Sequence, residues 1–196
     1  MTRALFDAAF EAARDWHTAL PALGAFCDWP DGARFADRPA VAVPAITHLQ
    51  ANPGAATAAS QALCTALIDL APYVEWRHTY TESEVGADFL QRYGWFELIG
   101  PDGHYLSDQV RMTIGFWGAG LVYGRHQHLP EELYSVVSGA ADFMLDGAET
   151  LRLSAGDTRL HPSNQPHALT TTTDPILTFV IWRGDGLADA PRMTKE

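Results

Sequence analysis

The stretch that decides the fold is "GRHQHLPEELYSVVSG", residues 124–139. Two of the chain's eight histidines, His126 and His128, stand one residue apart here, with Glu132 and Tyr134 close behind. On an extended strand, residues two apart face the same way, so the two imidazoles point to one side. Pro130 interrupts the ladder because it has no N–H to donate, and the strand after it carries Glu132, Tyr134 and Val136 on a single face. Two imidazoles and a carboxylate projecting inward make three corners of a metal site. A fourth ligand is then expected. His167, which opens a strand after the turn-rich "GDTRLHPSNQPH", is the first choice, and His161 the second.

Working outward, the sequence around this block has period 2. Val110, Met112, Ile114 and Phe116 alternate with Arg111, Thr113, Gly115 and Trp117, a strand with one face inward. Asp146-Gly147 separates "ADFML" (141–145) from "LRL" (151–153), a hairpin signal because both turn residues tolerate positive φ. Residues 158–161, 168–172 and 176–183 complete a series of short strands. So many closely spaced short strands indicate a small sandwich or barrel.

The first half of the chain has period 3.6 instead. Phe6, Phe10, Ala13, His17 and Leu20 recur every three or four residues, predicting an amphipathic helix over 3–20 that stops before Pro21, with His17 as a packing histidine at its end. A second helix is expected over 55–70, with Ala59, Leu63, Leu67 and Leu70 on one side, and a shorter third over 84–92. Five of the chain's twelve prolines lie within 21–54, so loops and short helices are expected there. The fold class is therefore mainly β with N-terminal helices: a helical region over 1–94 packed on a barrel over 95–186, followed by a frayed tail over 187–196.

A chain of 196 residues with 47% hydrophobic content supports one substantial core. Its net charge of -11 argues against nucleic acid or an anionic membrane as partner, since both require clustered Lys and Arg. Asp7, Glu11 and Asp15 interrupt the first twenty residues, unlike a signal-peptide core or a spanning helix, and the expected compartment is the cytoplasm. Cys27 and Cys64 read as two reduced thiols rather than a disulfide.

The full spacing of the central block is G(X)5HXH(X)3E(X)6G, from Gly120 to Gly139. Gly156, Pro162, Asn164 and His167 follow as G(X)5PXN(X)2H. These resemble the two signature motifs of the cupin superfamily over about residues 95–185, with Asn164 where glycine is usual. Asn tolerates the left-handed conformation nearly as well. The resemblance implies a single cupin β-barrel, a jelly-roll-like double-stranded β-helix, with one divalent ion (Zn, Fe, Mn, Ni or Co) held by His126, His128, Glu132 and His167. It also makes a homodimer the assembly to consider, although no apolar stripe in the sequence singles out an interface.

Tyr134 follows Glu132 on the same strand face, where a nearby cation would favour its phenolate, so it is the candidate base. Trp95, Phe116, Trp117, Tyr123 and Trp182 lie on or beside the strands and are candidates to line a pocket; aromatic faces suit an onium cation. Helices before one barrel, "YGRHQHLPEELYSVVSG" and "HPSNQPHAL" together resemble the cupin-type dimethylsulfoniopropionate lyases, the Q type in particular. That resemblance implies cleavage of a small zwitterionic carboxylate to dimethyl sulfide and acrylate by β-elimination, with Tyr134 as base and Tyr123 as a further catalytic and substrate-binding residue. Two other functions suit the same residues: a non-haem iron dioxygenase, or a non-catalytic cupin that binds a small ligand.

Overall fold

The computed structural model describes residues 2–194. Six helices come first: α1 (Thr2–Ala19), α2 (Pro21–Phe26), α3 (Ala45–Ala51), α4 (Gln61–Leu70), α5 (Glu82–Val85) and α6 (Ala87–Arg92). A short strand, β1 (Arg34–Phe35), lies among them, so the sheet already begins inside the helical region. The remaining strands are β2 (Tyr93–Gly100), β3 (Tyr105–Leu106), β4 (Arg111–Trp117), β5 (Val122–Gln127), β6 (Glu131–Leu145), β7 (Leu151–Ser154), β8 (Thr158–His161), β9 (His167–Thr170), β10 (Ile176–Arg183) and β11 (Arg192–Met193). No helix among the described residues is long and apolar enough to cross a membrane.

The strands follow the order β1-β3-β2-β4-β10-β6-β9-β5-β11. The long β6 turns this path into the barrel of the cupin type expected from the motifs. Its first half pairs with β10 and β8, and its second half pairs with β7 and β9. One strand therefore belongs to both walls. Asp146-Gly147 lies in the β6–β7 hairpin, with Gly147 at φ 77°, but the connection runs on to Leu151 instead of closing as a two-residue turn. β7 begins opposite Phe143, while β9 pairs with the other edge of β6 as far as Leu145.

Strand alternation divides the apolar residues between two cores. Phe6, Ala9, Ala13 and Trp16 of α1 and Leu63, Leu67 and Leu70 of α4 pack against Met112, Ile114 and Phe116 of β4, Leu133 and Val137 of β6, and Phe179 and Ile181 of β10. The opposite strand faces send Trp117, Tyr134, Val136, Val180 and Trp182 into the barrel. β4 is thus buried on both sides, and its even-numbered residues serve the helical layer. Trp16 Nε1 donates to Ser135 Oγ at 3.1 Å, and Ser135 donates on to Phe179 O at 2.8 Å, so the polar atoms under α1 are satisfied.

Two helix expectations and the expectation of a frayed tail need adjustment. α4 starts at Gln61 because Thr57 and Ser60 exchange side-chain and main-chain hydrogen bonds that compete with a helical turn. The 84–92 helix is two short ones divided at Gly86, φ 84°, the first closed by a Thr81–Glu84 capping box. The tail is also ordered through Thr194: Arg192 and Met193 pair with Gln127 and His126, and Thr194 N donates to Arg125 O at 2.9 Å. Residues 195 and 196 lie outside the described residues. His17 is buried at the end of α1 with Nε2 3.1 Å from Cys27 O, and both cysteines are free.

Candidate active site

The register of four neighbouring strands lines up the site. On β10, Trp182 stands opposite Arg111 of β4 on one side and Glu132 of β6 on the other; Val180 stands between Thr113 and Tyr134 in the same way. His161 of β8 is opposite Glu132, and His126 of β5 is opposite His167 of β9. The β5–β9 register shifts between Tyr123 and His126. Residues three apart on a regular strand face opposite sides, but an extra residue reverses that parity. Tyr123 and His126 accordingly stack on each other, ring centres 4.0 Å apart.

Three histidines share one pattern. Nδ1 of His126, His128 and His167 each lies 2.9 Å from a main-chain carbonyl oxygen, of Gly124, Pro130 and Gln165 respectively. A carbonyl only accepts, so each Nδ1 carries the hydrogen and each neutral ring presents Nε2 as a lone pair. Nε2 of His128 and of His167 are both 3.2 Å from Glu132 Oε2, and both are buried without a hydrogen-bond partner. The ligand atoms of His128, Glu132 and His167 all lie within 4.8 Å of one another. His126 is set to one side: its ring centre is 4.2 Å from that of His167 and 6.4 Å from that of His128. His161 differs, because its Nδ1 bonds Glu132 Oε2 at 2.9 Å while its Nε2 lacks a partner.

Buried lone pairs converging beside a carboxylate are costly unless something positive lies between them. An imidazole–carboxylate donor set with main-chain carbonyls fixing the tautomers fits a divalent cation. Glu132 carries its charge there. Burial pushes it up, but the surrounding His128, His161 and His167 outweigh burial and hold it well below the usual carboxylate range. Burial pushes His128 down, and the adjacent Glu132 charge outweighs that to leave it raised. His126 is pushed well below its usual value, by burial first and then by His167.

Tyr134 is buried two residues along β6 from Glu132, its ring centre 5.2 Å from that of His161 and 6.4 Å from that of Trp117. Burial, and after it the Glu132 charge, hold its phenol well above 10. Tyr123 is raised well above 10 by burial too, and its hydroxyl lies 3.1 Å from that of Tyr80. The cavity in front of these groups is lined by Trp95, Trp117 and Trp182 as well. Phe116 is not there. It is fully buried against the helical layer, because on β4 only the odd-numbered residues face the barrel.

Seven lining residues escaped the sequence reading, Thr113, Gly115 and Val180 among them. Tyr93 shares the strand parity of Trp95, so alternation alone was enough to find it. Arg111 sat on the face that alternates with Val110, Met112, Ile114 and Phe116. Thr79 and Pro191, by contrast, reach the cavity from segments flanking the barrel strands, and no local pattern marks them.

Comparison with known proteins agrees with this architecture. A family model described as dimethylsulfoniopropionate (DMSP) lyase matches residues 30–178. DMSP lyase DddQ of Ruegeria pomeroyi is 37% identical over 178 residues, covering 91% of this chain and 88% of the relative. Its crystal structure superposes with a TM-score of 0.91 at 35% identity, covering 97% of this chain and 96% of that one. A chain from the crystal structures of the DMSP lyases RdDddP and RnDddQII matches at TM-score 0.98 and 60% identity, with both chains fully covered. With most of its length matched in sequence and in fold, the chain belongs to the dimethylsulfoniopropionate lyase family.

Proposed function

We propose that this protein is a metal-dependent carbon–sulfur lyase that cleaves DMSP to dimethyl sulfide and acrylate by base-initiated β-elimination. The observation that carries the reading is the position of Tyr134: a buried phenol on the strand face of Glu132, between the histidine cluster and the aromatic wall. His128, Glu132 and His167, with His126 as the further ligand, would hold a divalent ion, which when bound would supply Lewis-acid stabilisation of negative charge on the substrate carboxylate.

Tyr134 accepts the C2 proton as the phenolate, the form that a cation bound at the neighbouring histidines would favour over the buried phenol. The C2–H electrons become the C2–C3 double bond, the C3–S pair leaves with sulfur, and the sulfonium becomes neutral dimethyl sulfide. The proton passes from the Tyr134 oxygen to solvent, and no electron is gained or lost overall. Glu132 and Tyr134 are each less than 5% exposed, so the proton moves in a site that excludes most water. Tyr123, stacked on His126 and anchored by Tyr80, presents a second hydroxyl-bearing ring beside the same histidines.

The test is headspace detection of dimethyl sulfide. Protein loaded with Zn²⁺, Fe²⁺, Mn²⁺, Ni²⁺ or Co²⁺ is expected to release it from DMSP with equimolar acrylate, and chelated protein is expected to stop. Oxygen uptake in place of dimethyl sulfide release would replace this reading with an oxygenase.

A further inference from the structure

The cavity wall has an electrostatic direction that the elimination alone does not explain. Strand register stacks its residues in rows across β4, β10 and β6: Arg111–Trp182–Glu132, then Thr113–Val180–Tyr134, with Gly115 and Trp117 following along β4. Successive rows on one face are about 6.5 Å apart. A cation therefore stands at one end, the phenol in the middle and aromatic rings at the far end.

Arg111 is held with unusual completeness for a cavity residue. Its Nε donates to Glu97 Oε2 at 2.9 Å, and its Nη1 donates to the carbonyls of Leu187 and Asp189, each at 3.1 Å. Among the described residues nothing accepts from Nη2, although the side chain is only 10% exposed. The guanidinium carbon sits 4.9 Å from the centre of the Trp95 ring and 5.0 Å from that of Trp182. Those two indole faces already host a cation, so they do not suit a second one.

The aromatic groups without a cation are at the other end. Tyr93, Trp117 and Tyr123 form a mutual cluster with ring centres 5.3 to 5.8 Å apart. Trp117 folds back toward the phenol row, because its ring occupies the space that a side chain at Gly115 would fill: a Cβ there would come within 2.5 Å of the indole. This shortens the distance between the two ends of the wall.

From this order we propose that Arg111 is the carboxylate-recognition residue of the site, and that the Tyr93–Trp117–Tyr123 cluster takes the onium group, so that the substrate binds in one direction only. The inference rests on the lyase reading for the identity of the zwitterion. Nη2 has no acceptor among the described residues and is available to an anion in the cavity that Arg111 lines, and the positive charge offsets the Glu132 carboxylate that would otherwise repel the substrate's own. A sulfonium placed at that end would meet the guanidinium. With the ends sorted this way, C2 comes to rest against the Tyr134 row, where its proton must leave. Glu97 and the carbonyls of residues 187 and 189 act as positioning groups that keep the fork turned inward.

The test uses metal-loaded protein and two half-substrates: acrylate, which has only the carboxylate, and trimethylsulfonium, which has only the onium. Calorimetric binding does not require turnover. Arg111→Gln is expected to weaken acrylate by about tenfold or more while leaving trimethylsulfonium within about twofold, and to raise KM for DMSP more than it lowers kcat. Arg111→Lys keeps a cation without the fork, guards against misfolding of the first variant and is expected to fall between. Trp117→Leu is expected to show the opposite selectivity. Equal weakening of both probes by the Arg111 variants, or unchanged acrylate binding, overturns the proposal. If selective loss is seen but the wild type releases no dimethyl sulfide, the lyase reading fails and the recognition stands. If dimethyl sulfide is released with KM unchanged in Arg111→Gln, the recognition fails and the lyase reading stands.

Discussion

Trp182 Nε1 donates to Glu132 Oε1 at 2.6 Å, and the two residues stand directly opposite each other on β10 and β6. This bond occupies one carboxylate oxygen and turns the other, Oε2, toward His128, His161 and His167. The Trp182→Phe variant keeps a smaller aromatic ring at this position and loses the donor. Groups that orient a metal ligand typically matter by about 10- to 100-fold in affinity. We expect that loss in metal affinity, read by competition with a chelator, with little change in thermal stability. Full retention of metal affinity would show that the bond does not orient Glu132.

Tyr134→Phe removes a hydroxyl without emptying the space under Phe143, whose ring centre is 5.3 Å away. The variant is expected to retain metal yet release dimethyl sulfide at least about 100-fold more slowly, the usual contribution of a positioned base. Glu132→Ala and His167→Ala are expected to lose metal first. Activity within a few-fold of wild type in Tyr134→Phe would move the base elsewhere.

His104 makes stability depend on pH at a distance from the cavity. It is buried against Phe6, ring centres 4.8 Å apart, and its Nε2 accepts from Glu75 N at 3.1 Å. Burial, opposed by the Glu75 charge, pushes it from the usual 6.5 down to about 4. The unfolded chain therefore binds a proton that the folded protein refuses. The contribution is whole above pH 6.5, declines as pH falls, and is lost by about pH 4. His104→Gln, which retains an acceptor, should flatten the change in urea midpoint between pH 7 and pH 5; an equally steep change in the variant would assign the dependence to other groups.

Gly139 closes the first motif at φ 77°, and a Cβ there would lie 1.8 Å from Pro175 O. Both the left-handed backbone and the contact oppose any side chain. Gly139→Ala is expected to cost about 3 kcal/mol or more and to lower Tm by roughly 6–12 °C. A thermal melt within 2 °C of wild type would mean that the β6–β10 crossing relaxes freely.

Much of this protein could be read from local pattern. Asn164 adopts φ 56°, the left-handed turn that its place in the second motif requires, and His167 opens β9 after Gln165 and Pro166. Alternation along β6 sent Glu132, Tyr134 and Val136 to one face because side-chain direction on a strand depends only on parity. The same rule failed where parity was interrupted or where both faces were buried. It could not reveal the bulge that turns Tyr123 and His126 the same way, nor that the apolar run ending at Phe116 served the helices and not the barrel.

The sequence by itself determined the barrel, its helical extension and the spacing of its histidines, since these depend on periodicity and on residues close in the chain. Only the tertiary structure decided which lone pairs meet at Glu132, that Arg111 lies between Trp95 and Trp182, and that the C-terminal segment holds that guanidinium. Those contacts join residues tens of positions apart across three strands and a tail, and their distances are set by sheet register and packing, which no local window contains.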